Sequence, residues 1–409
     1  MKIGILTQYY PPEVGAPQRR LSELCDFFLS RGHEVVVYTT FPSYPNGKLI
    51  GKKRQIIYSK KENMGLTVFR TYSYFCESPS KFDRLLSQIT FCSTSLLICL
   101  ISKKPDILLV ESPPLFLGLT AFIISKIKRI PFIFHVSDLW PESIEELGAL
   151  KNTRVLDILY AVERFIYKKA NAVVAVTKGI HRSISKRGFS RKTVFIPNGV
   201  ESDKIFPIER RSKRFMKKFG IEEGDFVLLY AGTFGLSHPL GKLIEVFRKL
   251  SGLKGLKMIM IGSGPGFEEM KKKSEKIEGM SVFEAVEHKN MNDLLSICDL
   301  EILALKPLKL FLGALPSKVY EANSAGKPVF CLLKGEIEEY FKCSKGGKNF
   351  GFNDIDGMAE SIRYFYHHRD ELQKMGQNGR DFVVKNYDRK IIGEKYLRIF
   401  EVIRENGKP

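Results

Sequence analysis

The segment FLGALPSKVYEANSAGKPVF, residues 311–330, brings a serine, a lysine and a glutamate to the start of one helix. Pro316 suits the first turn of a helix, where a missing N–H costs nothing, and Gly326 suits its end before the apolar run PVFCLL. A helix start offers free N–H groups and a partial positive charge, so Ser317 and Lys318 stand where a phosphate is most easily held. Glu321, one turn further on, can accept two hydroxyl hydrogen bonds from a neighbouring sugar such as a ribose. The stretch could therefore grip a nucleotide. The competing reading is a surface ion pair between Lys318 and Glu321 at i, i+3 spacing, worth roughly 0.2–0.5 kcal/mol.

Other motifs carry less chemistry. GSGPG at 262–266 lacks the full glycine spacing and the acidic ribose partner of a dinucleotide fingerprint, and reads as a turn. NDID at 353–356 has the look of a metal-binding pair, but GMAESI comes after it, so it reads as a helix start. His367 and His368 are adjacent on a helix and diverge by about 100°, which argues against a shared metal. No metal site is expected.

The elements that must position these residues alternate in a regular rhythm. KIGILTQ reads as a strand, YYPPEVGAP as a loop, residues 18–30 as a helix and EVVVYTT as the next strand. Strand-like runs recur at DILLVES (106–112), PFIFHVSD (131–138) and NAVVAVT (171–177), with helical patterns between, and KTVFIPNGV follows at 192–200. After a basic segment the rhythm restarts with FVLLYAG (226–232), LKMIMIG (256–262), MSVFEAV (280–286), LEILAL (300–305) and PVFCLL (328–333). Alternation of this kind implies parallel, doubly wound sheets, here two in series. The expected domains are 1–190 and 191–387, with a helix over about 388–409 returning to the first. Two such domains would face each other across a cleft lined by their strand-to-helix loops, where folds of this class bind ligands.

Composition sets bounds on the function. At 409 residues, with 44% hydrophobic and 27% charged residues, the chain has material for two cores and is not disordered. The opening MKIGILTQYY has no basic leader before a long apolar core, so a cytoplasmic location is expected. Seven scattered cysteines without a CxxC pair read as reduced core residues. The net charge of +20 is spread over GKKR (51–54), SKK (59–61), KIKR (126–129) and ERRSKRFMKK (209–218). None of these forms a nucleic-acid-binding pattern, so nucleic acid is not an expected partner. An anionic membrane surface is. RLLSQITFCSTSLLICLISKK, residues 84–104, is apolar with basic ends, and its hydroxyl residues break the unbroken length that a spanning helix needs. It reads either as a core helix or as a helix lying in the membrane interface.

In order, ILTQYYPPEVGAP, SRGHEVVVYTT, SDLWPES, VVAVTKGI, IPNGV, YAG, IGSGP and GALPSKVYEANSAGKP resemble the retaining glycosyltransferases of family 4, an α/β class with the two-domain GT-B fold. The match runs over most of the chain. The resemblance implies sugar transfer from a nucleotide-sugar donor, UDP by family habit, to a lipid-linked or polysaccharide acceptor at the inner membrane face. It implies no metal or other cofactor, and a peripheral position on that membrane. It makes Glu321 the ribose ligand and Ser317 and Lys318 the pyrophosphate cradle. Gly15 and Ala16 match a small-residue loop near the same phosphates, Gly232 starts the corresponding loop of the second domain, and Val286 matches a loop that meets the base.

Departures from the family pattern matter as well. A second glutamate is replaced by Gly313, and an Arg/Lys pair by Thr233 and His238, so Lys318, helix dipoles and a protonated His238 would have to stabilise the leaving diphosphate. On the first-domain side His135 and Asp138 could orient the acceptor hydroxyl or the sugar and handle its proton. Their structural alternatives are a satisfied strand histidine and a helix cap. Two further functions stay open on this reading: a nucleotide-sugar epimerase or hydrolase of the same fold, and a catalytically silent nucleotide-sugar-binding protein.

Overall fold

The computed structural model describes residues 1–13, 15–43, 49–50, 56–75, 80–148, 150, 152–235 and 237–406. The GKKR cluster, Cys76 and Leu236 lie outside the described residues. The chain divides into two compact units, Met1–Asn198 with Arg389–Pro409, and Gly199–Asp388.

The first unit is built on an eight-stranded sheet. Its strands are β1 (Lys2–Leu6), β2 (Glu34–Thr40), β3 (Tyr58–Asn63), β4 (Leu66–Thr71), β5 (Ile107–Ser112), β6 (Phe132–Val136), β7 (Ala172–Ala175) and β8 (Thr193–Phe195). They lie in the order β3-β4-β2-β1-β5-β6-β7-β8, and every pair is parallel except β3 with β4. The inner strands are covered on both faces, which is why they read as near-continuous apolar runs. The β3–β4 hairpin has no such signature. YSKKEN is a polar, exposed edge strand whose lysines protect the open edge, and its turn places Met64 and Gly65 at φ 43° and 84° without an Asn-Gly signal.

The second unit carries six parallel strands in the order β11-β10-β9-β12-β13-β14. These are β9 (Phe226–Thr233), β10 (Leu256–Ser263), β11 (Met280–Glu284), β12 (Leu300–Ala304), β13 (Val329–Leu332) and β14 (Gly347–Phe350). The short edge strand GKNF also lacks an apolar pattern.

The boundary falls at 198/199, a few residues past 190/191 and within the 188–205 stretch where the sequence places it. Thr193–Phe195 pairs with β7, so the first unit runs on to Asn198. The helix Arg389–Asn406 belongs to the first unit, where Ile392, Tyr396, Phe400 and Ile403 share a core with Phe28 of α1 (Ala16–Ser30). A Cβ on Gly393 would stand 2.2 Å from the Phe27 ring, so the two helices can approach only at a glycine. Buried Arg389 Nε donates to Glu23 Oε2 at 2.8 Å across the same contact.

Helices α2 (Lys81–Ile101) and α3 (Leu117–Lys128) pack against each other in the first unit. Ser80 and Asp83 form a capping box that fixes the start of α2. The hydroxyls expected to interrupt its apolar run are satisfied locally. Thr90 donates to Leu86 O at 2.8 Å, Ser93 to Ile89 O at 3.0 Å and Thr94 to Tyr72 O at 2.6 Å. By length and composition alone Phe82–Ile101, with mean hydropathy 1.6, is apolar enough to cross a bilayer, a property that buried core helices share. One face of α2 is buried through Phe91, Ile98 and Cys99, while Phe82, Leu97 and Ile101 stay exposed.

Candidate functional site

In the second unit the helix Ser317–Ser324 starts with Pro316 as its N-cap, one residue earlier than the first-turn position expected for it. No side chain caps this start, so its first N–H groups are open to an external acceptor. Val319, Tyr320 and Ala322 are buried and hold the helix against the core, and Gly326 lies just past its end at φ 69°. Burial of these anchors fixes the direction in which Lys318 and Glu321 project.

Lys318 Nζ lies 4.6 Å from the centroid of the Tyr230 ring and packs against the backbone of Gly232. It is sealed from solvent and has no hydrogen-bond partner. Burial pushes the Lys318 pKa down, against the attraction of Glu301 and Glu321. Glu301, only 2% exposed, projects from the otherwise apolar β12. Burial pushes its carboxyl up to about 8; Lys318 pulls it down and Glu321 pushes it further up. Burial thus disfavours the charged form of each partner, and an anion arriving beside Lys318 would favour its ammonium.

His238 does not supply the positive charge expected of it. Burial and the neighbouring Lys318 hold its pKa down at about 4, so the ring is neutral near pH 7. His288 lies on the other side of the site, with Nε2 3.8 Å from Glu321 Oε1. Among the described residues of the second unit, the buried side-chain polar atoms without a hydrogen-bond partner are Lys318 Nζ, His238 Nδ1 and His288 Nε2. Buried polar atoms are nearly always paired, so orphans gathered at one helix start mark a place built for a ligand.

The remaining expected residues fall around this centre. Gly232, next to last in β9, lies against Gly262 of β10, where a Cβ on Gly262 would stand 1.7 Å from the Gly232 carbonyl oxygen. Thr233 is exposed, and its carbonyl accepts the Tyr230 hydroxyl at 2.7 Å. Val286 is half-buried two residues beyond β11 and two before His288. Gly313 ends the short helix Lys309–Leu312, in the turn leading to Pro316. Among the described residues, no group of three or more His, Cys, Asp or Glu side chains is arranged to hold a metal ion.

In the first unit Gly15 is the N-cap of α1 and Ala16 its first residue, again with no side-chain cap. A Cβ on Gly15 would meet only the flexible end of Gln18, 2.4 Å from Oε1. His135, fully buried on β6, is enclosed by a charged network. Arg20 donates to His135 Nε2 at 2.7 Å and to Glu111 Oε1 at 2.5 Å, while His135 Nδ1 lies 2.9 Å from Glu111 Oε2. The Ser137 hydroxyl donates to Glu111 Oε1 at 2.6 Å. Burial pushes Glu111 up, but Arg20 and His135 outweigh it and hold the carboxyl at about 2. Burial and the Arg20 charge together push the His135 pKa down. Both ring nitrogens of His135 are thus engaged within the network, which also holds Ser137 beside Asp138.

Asp138 is different. It is half-buried in the loop after β6, and burial pushes its carboxyl up to about 6 against hydrogen bonds from the Ser143 hydroxyl and the Leu139 N–H. It both braces the turn after it and titrates near neutrality. Glu111 and Glu301 escaped the sequence reading although each is a charge inside an apolar strand run, which is a readable sign of a buried ionic role. Arg20, Tyr230 and His288 gave no local signal.

Two family models match this chain. Glycosyltransferase Family 4 covers residues 17–204, and Glycosyl transferases group 1 covers residues 211–382. The chain is 23% identical over 315 residues to WcaI of Escherichia coli (strain K12), whose name assigns it to colanic acid biosynthesis as a glycosyl transferase; the match covers 75% of this chain and 77% of that one. Among solved structures it is similar to sucrose-phosphate synthase from Thermosynechococcus elongatus, with TM-score 0.78 and 12% identity over 98% of both chains. It is also similar to Anabaena Alr3699/HepE in complex with UDP-glucose, with TM-score 0.71 and 15% identity over 98% of this chain and 99% of that one. Two Rossmann-like units, a match to a family model in each, and these neighbours agree: the chain is a glycosyltransferase of the GT-B fold, with a Glycosyltransferase Family 4 region followed by a Glycosyl transferases group 1 region.

Proposed function

We propose that this glycosyltransferase moves a hexosyl- or N-acetylhexosaminyl-type sugar, with retention, from a UDP-sugar to a lipid-linked or growing polysaccharide acceptor at the inner face of a membrane. The observation that carries the donor side is the orphaned Lys318 Nζ at an uncapped helix start, one turn from Glu321. A diphosphate there would meet open N–H groups and an amine whose charged form it favours. Glu321 would take the ribose hydroxyls, with His288 beside it, and the chain from Val286 to His288 would face the base. UDP is favoured because HepE, similar in fold, was solved with UDP-glucose. A polysaccharide product is favoured by the name of WcaI.

The chemical step is set by these roles. The bond between the anomeric carbon and the diphosphate oxygen loosens, and its electron pair leaves with the diphosphate, where Lys318 and the helix start stabilise the charge. The acceptor hydroxyl attacks the oxocarbenium-like carbon from the same face, and its proton passes to the departing phosphate oxygen. Asp138 orients the acceptor as a carboxylate, while the Arg20–Glu111–His135 network holds its loop. No metal ion takes part in this scheme.

The test is a thermal-shift series with UDP, GDP, ADP and CDP, with and without magnesium, on the wild type and Glu321→Ala. A magnesium-independent shift with UDP, lost in the variant, supports the donor site. No shift with any nucleotide overturns it. UDP release from UDP-sugars with and without membrane extract then separates transfer from hydrolysis.

A further inference from the structure

An open hollow of about 720 Å³ lies in the first unit at the ends of β5, β6 and β7 where the strands begin, away from the loops that carry Ser137 and Asp138. Five cations line it: Lys104, Lys126, Arg129, Lys169 and Arg404. Its one carboxylate, Asp106, already accepts the Lys2 N–H at 2.7 Å. Among the described residues, none of the five cations makes an ion pair or donates to a carboxylate. Lys126 and Lys169 instead lie over the Phe122 ring, 6.0 and 5.7 Å from its centroid. Arg129 holds its place at a backbone cost, because it ends α3 at φ 51°, a left-handed conformation that favours glycine. Unpaired positive charge converging on a hollow is the electrostatic form of an anion site.

Two of these cations continue from apolar helix ends, Lys104 three residues after Ile101 of α2 and Lys126 just before Ile127 of α3. The C-terminal ends of the two helices meet, joined by Lys128 Nζ donating to Ser102 O at 2.5 Å. Leu97 and Ile101 of α2 are 62% and 73% exposed, and Ile127 of α3 is 61% exposed. Cations around an exposed aliphatic edge match the boundary of a bilayer, with phosphate outside and hydrocarbon within.

We infer that this hollow binds the phosphate of an anionic phospholipid headgroup while Leu97, Ile101 and Ile127 enter the acyl boundary. The inference rests on the proposed membrane location and names the face and lipid chemistry that would produce it. A soluble phosphate would also be drawn to the five cations, but it leaves the apolar helix ends without a partner.

The experiment is co-sedimentation of the whole chain with phosphatidylcholine vesicles, with and without phosphatidylglycerol. The variants are Lys126→Ala/Arg129→Gly, Leu97→Asp/Ile101→Asp, and a charge-matched control, Lys271→Ala/Lys272→Ala, on the second unit. Wild type should bind phosphatidylglycerol vesicles preferentially. The hollow variant should bind about 25-fold more weakly, at about fivefold per cation removed, and the control should bind like wild type. Because Arg129→Gly relieves a left-handed residue, the hollow variant should melt no lower than wild type, which separates lost binding from lost folding. The Leu97→Asp/Ile101→Asp variant should lose binding to both vesicle types.

Equal losses in the hollow variant and the control would mean diffuse charge and overturn the hollow, leaving the membrane location intact. No vesicle binding by wild type would overturn both. A melting shift with inorganic pyrophosphate that depends on Lys126 and Arg129, without vesicle binding, would assign the hollow to a soluble anion and overturn the lipid. The UDP shift, measured alongside, reports on the donor site independently of every one of these outcomes.

Discussion

A Cβ on Gly232 would stand 2.0 Å from Lys318 Nζ. The glycine next to last in β9 is what allows the amine to lie across the Tyr230 ring, so the smallest side chain there must displace it. Gly232→Ala should therefore weaken UDP binding by about 10- to 100-fold, the weight of one charge-assisted hydrogen bond. Lys318→Met should lose as much affinity while the free protein melts at or above the wild-type temperature, because an unpaired buried amine is removed. Titration calorimetry and thermal melts check both. An unchanged UDP affinity in Gly232→Ala would separate Lys318 from the donor.

His238 stays neutral through the physiological range because burial and Lys318 hold its pKa near 4. Any titration of UDP affinity near pH 6 should then come from the terminal phosphate of UDP, whose second pKa is about 6, and be the same in His238→Asn, which should bind UDP within about twofold of wild type, as loss of one neutral contact implies. A midpoint near 6.5 that disappears in the variant would restore a charged histidine to the site.

For Asp138, burial raises the folded pKa from the ordinary 3.8 to about 6. If its carboxylate orients the acceptor, the transfer rate at saturating donor rises as pH passes upward through about 6, and Asp138→Asn flattens that limb with a large loss of rate. Its stability effect has the opposite sense. The favourable contribution of the protonated acid is full below 3.8 and is lost as pH rises through 6, so Asp138→Asn should melt higher than wild type at pH 7. A rate profile unchanged in the variant would leave Asp138 as a brace for the turn.

The buried pair Arg20–Glu111 titrates the other way. Glu111, held near 2, contributes stability that is complete above its ordinary 4.5 and is lost as pH falls through 2. Arg20→Met leaves Glu111 and His135 buried without their cation and should cost about 3–5 kcal/mol in urea unfolding at pH 7. UDP binding by the folded fraction should be kept. A cost below about 1 kcal/mol would show that the network is solvated.

Donor binding should not respond to divalent cations. UDP affinity measured with excess chelator and with magnesium should agree within about twofold, since Lys318 and the helix start are proposed to balance the diphosphate charge. A tenfold gain with magnesium would require a metal in the donor complex.

Periodic strands and the helix start at 317 were legible in the amino-acid sequence because their signals are local. β1, β2 and β5–β7 are continuous apolar runs, and Pro316, Ser317, Lys318 and Glu321 occupy consecutive turns of one helix. Strands β3 and β14 were not legible, since YSKKEN and GKNF are strands only through pairing with a neighbour. The same limit separates the two readings of His135. Its type suits proton transfer, but Arg20 from α1 and Glu111 from β5 take both ring nitrogens, and no spacing along the chain encodes that meeting.

Local sequence determined which residues could meet a phosphate or a ribose. Tertiary structure alone decided their charge. His238 is neutral because burial and Lys318 make protonation costly, and Lys318 is poised because Gly232, Tyr230 and Glu301 arrive from other strands to enclose it. Desolvation and Coulomb energy depend on distance in space, and residues from position 230 to position 318 acquire those distances only when the sheet forms.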